Sequence, residues 1–202
     1  IVFLTINTLL LLAVAVVTLW PFLDTLLESV SPTIDLMKNA KKILRIPSYI
    51  DFSNYAYVLH GSQMIQSIKV TVSRTIVGTL LSLLLTALTA YPLSKRDLPG
   101  GQVIMAMFLF TMIFQAGMIP TFLAIKDYGL LDTFWALIIP EALSVYNMII
   151  MRTFFQGIPS ELIEAAAIDG CSEMKTLWKI VLPLSTPVLA SIGLFYAVWH
   201  WN

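Results

Sequence analysis

Five apolar runs alternate with shorter polar segments along this chain: Ile1 to Phe22, Ile68 to Tyr91, Val103 to Leu123, Thr133 to Met151 and Pro183 to Trp201. A hydrocarbon core about 30 Å thick takes about 20 helical residues to cross, and a helix satisfies all its own backbone polar groups inside lipid. The pattern therefore predicts an all-α, polytopic transmembrane helical bundle with five spans in this stretch. The first run exceeds the 7 to 15 apolar residues, roughly, of a secretion signal, and no small-residue cleavage pattern follows it, so it too reads as a span. An odd number of spans, with no initiating Met before Ile1, leads us to expect residues 1 to 202 to be a single transmembrane domain cut from a longer protein at both ends.

The polar segments carry their own signals. Ile34, Met37, Lys41 and Leu44 to Arg45 recur at helical spacing, which predicts a short interfacial helix ended by Pro47. Ser53 and Asn54 are expected to cap another short helix through Tyr55, Val58 and Leu59. The section Asp24 to Gln66 reads either as a docking surface or as a loop on lipid headgroups. Thr71, Ser73, Thr75, Gly78, Thr79, Ser82, Thr86 and Thr89 make the second run rich in small and hydroxyl residues, which let membrane helices approach closely, so it is expected to face protein. Pro92 is expected to end that helix, Ser94 to Gly101 to form a tight turn, and Gly117 to Pro120 to close the third span.

Pro140 and Glu141 interrupt the fourth run. A proline removes one amide donor and presses on the preceding turn, so a bend is predicted there. A carboxylate at bilayer depth is costly unless it faces protein or water. Glu141 therefore either lines a solute path or pairs with a cation such as Arg74 or with a neighbouring hydroxyl.

Composition supports this reading. Apolar residues make up 58% of the chain and charged ones 12%, with a mean hydropathy of +0.84, which places it in a bilayer. Twelve basic and 12 acidic residues balance, giving no electrostatic case for nucleic-acid binding. The single cysteine, Cys171, excludes an intrachain disulfide and a multi-cysteine metal site. Lys and Arg are too evenly divided for the positive-inside rule to orient the chain, although Lys95 and Arg96 favour a cytoplasmic Ser94 to Gly101 turn.

Between the fourth and fifth runs lies the most informative polar stretch. Ser160 is expected to cap a helix with Glu161 in its first turn and a flat small-residue face at Glu164, Ala165, Ala166 and Ala167. Gly170 is placed to end it in the left-handed conformation. Ser172 then caps a second helix whose Met174, Leu177, Trp178 and Val181 form an apolar stripe, and Pro183 opens the fifth span. From the residues alone this is either a docking surface or an amphipathic hairpin resting on its own bundle.

The order E-A-A, three residues, G, nine residues, I, one residue, L-P is filled by Glu164-Ala165-Ala166, Gly170, Ile180 and Leu182-Pro183. It resembles the signature cytoplasmic loop of the permease subunits of binding-protein-dependent ABC importers. Leu80 to Lys95, Phe114 to Asp132, Ile149 to Gly170 and Phe195 to Asn202 are similar to the carbohydrate-uptake branch, the maltose-type and oligosaccharide permeases. The resemblance implies six spans in the full protein, a multi-pass bacterial plasma (inner) membrane location, the Glu164 loop inside and the Asp24 to Gln66 section outside. It also implies that residues 159 to 182 form a coupling loop, with Glu164, Ala165, Ala166 and Gly170 docking to an ATPase and Ile180, Leu182 and Pro183 anchoring the loop to the fifth span. The Glu141 position is more often small in that family.

The partners so implied are an ATP-binding subunit dimer, a second permease subunit forming a heterodimer, and an extracellular solute-binding protein. ATP and Mg would be held by the partner ATPase, and no cofactor is expected in this chain, which has no G-x-x-x-x-G-K-[ST] segment. Candidates for the substrate path are Glu141, Gln115, Tyr146 and Asn147, while Trp20, Trp199 and Trp201 read as interface anchors. The alternatives are an ABC permease for an amino acid or polyamine, and, remotely, a membrane-embedded enzyme using Glu141, Asp169 or His200.

Overall fold

A computed structural model describes residues 2–38 and 47–202. It is all-helical, with no strand among the described residues, and divides into two compact units, 1–68 and 69–202. Part of the predicted interfacial helix is present as α2 (Thr33–Lys38), while its continuation through Arg45 lies outside the described residues.

In the first unit, α1 (Val2–Ser29) buries none of its residues within this chain. Its 28 residues reach about 42 Å, long enough to cross a bilayer. The chain after it is pinned to its C-terminal end. Ser31 Oγ donates to the Leu27 carbonyl at 2.6 Å, Asp51 N to the Val30 carbonyl at 2.9 Å, and the Ser29 and Tyr55 hydroxyls bond at 2.7 Å. The following helix, α3 (Ser53–His60), is not capped as its sequence suggests. Asp51 Oδ1 accepts from Ser53 N at 2.8 Å, while Asn54 Nδ2 is drawn off to the Ser31 carbonyl at 3.3 Å. A carboxylate two residues upstream displaces the weaker Ser and Asn acceptors.

The second unit is organised by α4 (Ser62–Ser94), which crosses the expected second span and runs past Pro92. Carbonyls of its last turn find side-chain partners: Arg152 Nε donates to Leu93 O at 2.7 Å, and Ser94 Oγ to Tyr91 O at 2.6 Å. Arg74, Gly78, Ser82, Thr86 and Ala90 recur every four residues and so share one face. Ser82, Thr86 and Ala90 are fully buried on it. The opposing face belongs to α11 (Thr186–Trp201), whose buried residues Val188, Ile192, Tyr196 and His200 repeat the same spacing. Ser82 meets His200 and Thr86 meets Tyr196, so the two stripes run antiparallel, small residues against large ones. The second run thus faces protein, as its hydroxyl content indicates.

The remaining three spans are each broken. α5 (Gly101–Ile113) and α6 (Met118–Asp127) bend by 118° at residues 114–117, so the third run turns a few residues before the close expected at Gly117 to Pro120 and continues as helix beyond it. Gly117 has φ +80° and ψ 178°, a conformation effectively closed to other residues, and Pro120 falls in the first turn of α6 where its missing amide costs nothing. The fourth span consists of two 3-10 turns, Phe134–Leu137 and Ile139–Glu141, a break at 142–144, and α7 (Val145–Gln156), bent by 53°. Pro140 thus bends the chain as predicted. Length and composition allow two helices to cross a membrane, or five spans if each bent pair counts as one.

The fifth pair departs from expectation. Pro183 does not open the last span; helix continues from Glu173 through Leu184, and the 85° corner falls at Ser185. Leu177–Val181 form a π turn closed by the Leu182 amide on the Leu177 carbonyl. This wide turn sits immediately before Pro183, which brings no amide of its own, and Pro187 then takes the tolerated first-turn position of α11.

Candidate functional site

Two regions of the second unit concentrate the chemistry. The first is the hairpin that follows α7. α8 (Ser160–Ile168) begins after Pro159, so Ser160 lies inside the first turn and makes no side-chain cap. Proline supplies the extended entry by itself, with ψ 129°. Gly170 has φ +74°, and the turn closes by two bonds, Cys171 N to Ala166 O at 2.9 Å and Gly170 N to Ala167 O at 3.0 Å. That pair is the Schellman arrangement, which fixes the corner. Ser172 Oγ then accepts from Lys175 N at 3.4 Å and starts α9 (Glu173–Thr176), which leads through the π turn into α10 (Leu182–Leu184).

The signature residues divide by exposure. Glu164, Ala165 and Gly170 face outward, whereas Ala166 is buried against its own chain. Glu164 has no side-chain partner among the described residues, and Ile168 beside it is 87% exposed. Ile180 and Leu182 are half-buried and Pro183 exposed. The expected stripe splits: Leu177 and Val181 are buried, while Met174 and Trp178 are exposed. Leu177 and Val181, the two buried members, are the first and last residues of the π turn.

One network ties the hairpin to α4. Tyr91 Oη donates to Glu173 Oε2 at 2.8 Å, Lys95 Nζ pairs with the same carboxylate, and that ammonium lies 5.1 Å from the centre of the Tyr91 ring. Hydrogen bonds from Lys95 first and Tyr91 second hold the Glu173 carboxyl below the usual carboxylate range. Gln156 Nε2 of α7 also reaches the Ser94 carbonyl, at 3.5 Å. The Ser94 to Gly101 turn and the Glu164 hairpin therefore lie on one side of the bundle.

The second region is a polar cluster between α4, the 3-10 turn Ile139–Glu141 and α11. Trp199 Nε1 donates to Glu141 Oε2 at 2.8 Å, and Arg74 Nη2 stands 3.7 Å from that same oxygen. His200 is fully buried, with Nε2 3.3 Å from Ser82 Oγ. The Tyr196 hydroxyl bonds Thr86 Oγ1 at 2.7 Å and accepts from Ser144 N at 3.1 Å, which holds the break of the fourth span against α11.

Of the four path candidates, Glu141 joins this cluster. It pairs with Arg74, one of the two sequence alternatives, and its side chain is 47% exposed. Tyr146 and Asn147 follow in the first turn of α7, Tyr146 exposed and Asn147 buried. Gln115 lies exposed in the break between α5 and α6, and among the described residues no side-chain hydrogen bond links any two of the four. Trp199 is a partner of Glu141 in addition to any interfacial role, and His200 is a packed core group rather than an interfacial one. Sequence reasoning missed both. The available signal was the four-residue repeat shared by the second and fifth runs.

Residues 82–202 match the family of binding-protein-dependent transport system inner membrane components. The chain is 45% identical over 192 residues to the polygalacturonan/rhamnogalacturonan transport system permease protein YtcP of Bacillus subtilis, covering 95% of this chain and 66% of that one. It is 43% identical over 196 residues to protein LplC of the same organism, covering 97% and 66%. This chain therefore spans just under two thirds of the length of these curated relatives. Its fold superposes on a bacterial ABC transporter involved in the import of the acidic polysaccharide alginate, with a TM-score of 0.93 and 37% identity, covering 100% of this chain and 71% of that one. With its broken spans, buried small-residue seam and E-A-A hairpin in place, the chain belongs to the family of binding-protein-dependent transport system inner membrane components.

Proposed function

We propose that this chain is the membrane-spanning permease subunit of an ATP-driven importer, that it forms part of the translocation path for a sugar or oligosaccharide, and that it couples to a separate ATPase through residues 159 to 182. The observation that carries this reading is the hairpin: two short helices held at a fixed corner by Gly170, presenting an unpaired Glu164 outward. A lever must transmit displacement without folding up, and the Glu173 network ties this one to the long helix α4. Glu164 is free to accept charge-assisted hydrogen bonds from a basic residue of a partner.

Carbohydrate is preferred over an amino acid or polyamine because relatives are named for polygalacturonan and for arabinooligosaccharides. The chain itself is non-catalytic; hydrolysis and its ATP and Mg belong to a pair of ATP-binding subunits, with a second permease and an external solute-binding protein completing the assembly. Glu164, Ala165 and Gly170 form the outward docking surface, Ala166 lets α8 sit close to its own bundle, and Ile180, Leu182 and Pro183 anchor the hairpin to the last span. ATP-driven sugar uptake by the full complex, with and without Glu164→Lys, tests the assignment.

A further inference from the structure

Arg74 is the basic residue of the polar cluster, and its bonding is incomplete. Among the described residues its nearest anionic contact is the 3.7 Å approach to Glu141, beyond hydrogen-bond length, and its Nε is buried without a partner. A guanidinium presents five N–H donors in a planar fork matched to a carboxylate, so this one has unused capacity. The competing claim on Glu141 Oε2 comes from Trp199, at 2.8 Å. Independently, His200 is fully buried with Nδ1 unpartnered. An orphaned nitrogen in each of two neighbouring stripes, beside a half-exposed carboxylate, marks a site built for more hydrogen bonds than the chain provides.

Position adds to this. Arg74 lies 20 residues before Ser94, about 30 Å along α4, so it stands in the half of the helix remote from the hairpin. Glu141 rides on a 3-10 turn followed directly by the break at 142–144, and its side chain is 47% exposed, which leaves the carboxylate room to turn outward by rotation of the side chain alone.

We propose that Arg74 is the carboxylate-binding residue of a sugar subsite in the half of the path remote from the hairpin, with Glu141 as its resident counter-ion. This rests on the importer reading and gives it a substrate class, the uronate-type acidic oligosaccharide. When such a sugar arrives, its carboxylate takes both arms of the Arg74 fork and Glu141 turns outward. A neutral sugar has no means of making that exchange, because a charge-assisted bond is about twice as strong as the hydroxyl bond that would replace it. Trp199 Nε1, released from Glu141, is left to donate to a ring hydroxyl. The site is thus guarded by the chain's own carboxylate and opened by a ligand carrying another.

Equilibrium binding to the full-length importer in nanodiscs, without its solute-binding protein, tests this through tryptophan fluorescence. The probes are digalacturonate and its neutral methyl ester. Digalacturonate is expected to bind about tenfold tighter or more, Arg74→Gln to abolish that preference, and Arg74→Lys to keep part of it. Glu141→Gln is expected to strengthen digalacturonate binding severalfold and leave the ester unchanged. A preference that survives Arg74→Gln, or a Glu141→Gln change that weakens both probes alike, overturns the subsite. Equal wild-type binding of both probes also overturns it, and ATP-driven sugar uptake by the same complex would then leave the importer reading standing.

Discussion

Gly78 lies against the imidazole of His200: a methyl group on Gly78 would stand 2.7 Å from Nε2 and 2.8 Å from Cδ2 and Cε1. Contacts that short are not accommodated without displacing a buried ring. Overpacking of this kind costs about 1–3 kcal/mol. Gly78→Ala should therefore lower the thermal unfolding midpoint of the detergent-solubilised protein, and adding His200→Ala should restore part of the loss. A Gly78→Ala variant that melts like the parent would show the α4–α11 approach to be looser.

The Tyr196 hydroxyl serves Thr86 and the Ser144 amide together. Tyr196→Phe strands both, at a cost of about 1–3 kcal/mol in general and toward the low end inside a membrane. A double-mutant cycle with Thr86→Val, read by unfolding in mixed micelles, should give a coupling energy near about 0.6 kcal/mol or above. Strict additivity would mean that the two hydroxyls do not interact.

Acid should loosen the hairpin from α4. The Glu173 carboxyl is held below its ordinary range by Lys95 and then by Tyr91, so the folded corner favours the carboxylate. Its contribution is fully present above the ordinary carboxylate range and is lost as pH falls through the lowered value. Hydrogen exchange of the Ser172 to Thr176 amides, corrected for intrinsic pH dependence, should accelerate on acidification in the parent. In Glu173→Ala it should already be faster and should not respond to that titration.

The corner at Gly170 needs a left-handed residue. At φ +74° an alanine costs about 1 kcal/mol, and asparagine less because it tolerates that region. Exchange of the amides of Gly170 and Cys171 should rise severalfold in Gly170→Ala and by less in Gly170→Asn. Equal protection in all three proteins would argue against the turn.

What the sequence made legible follows from how local each cause is. Gly170 and Ser172 act within a few residues, and the turn and cap form as expected. The fourth span likewise bends just after Pro140 and Glu141, at 142–144. The corner in the third run was legible at Gly117, but its start at Phe114 and the helix resuming from Met118 were not, because Phe114 and Ala116 continue the apolar run. Pro183 and Pro187 offer equivalent starts for the last helix, and the π turn that decides between them has no periodic signature. At the site, Arg74 was readable as a partner for Glu141. The burial of His200 was not, since it depends on Gly78 and Ser82, the latter 118 residues away in the chain.

The central claim is that the outward face of the 159 to 182 hairpin drives transport through a partner ATPase. It is tested most directly by ATP-driven sugar uptake into proteoliposomes holding the complete importer with Glu164→Lys. Uptake is expected at background with the chain inserted at parental levels. Uptake at the parental rate would contradict it.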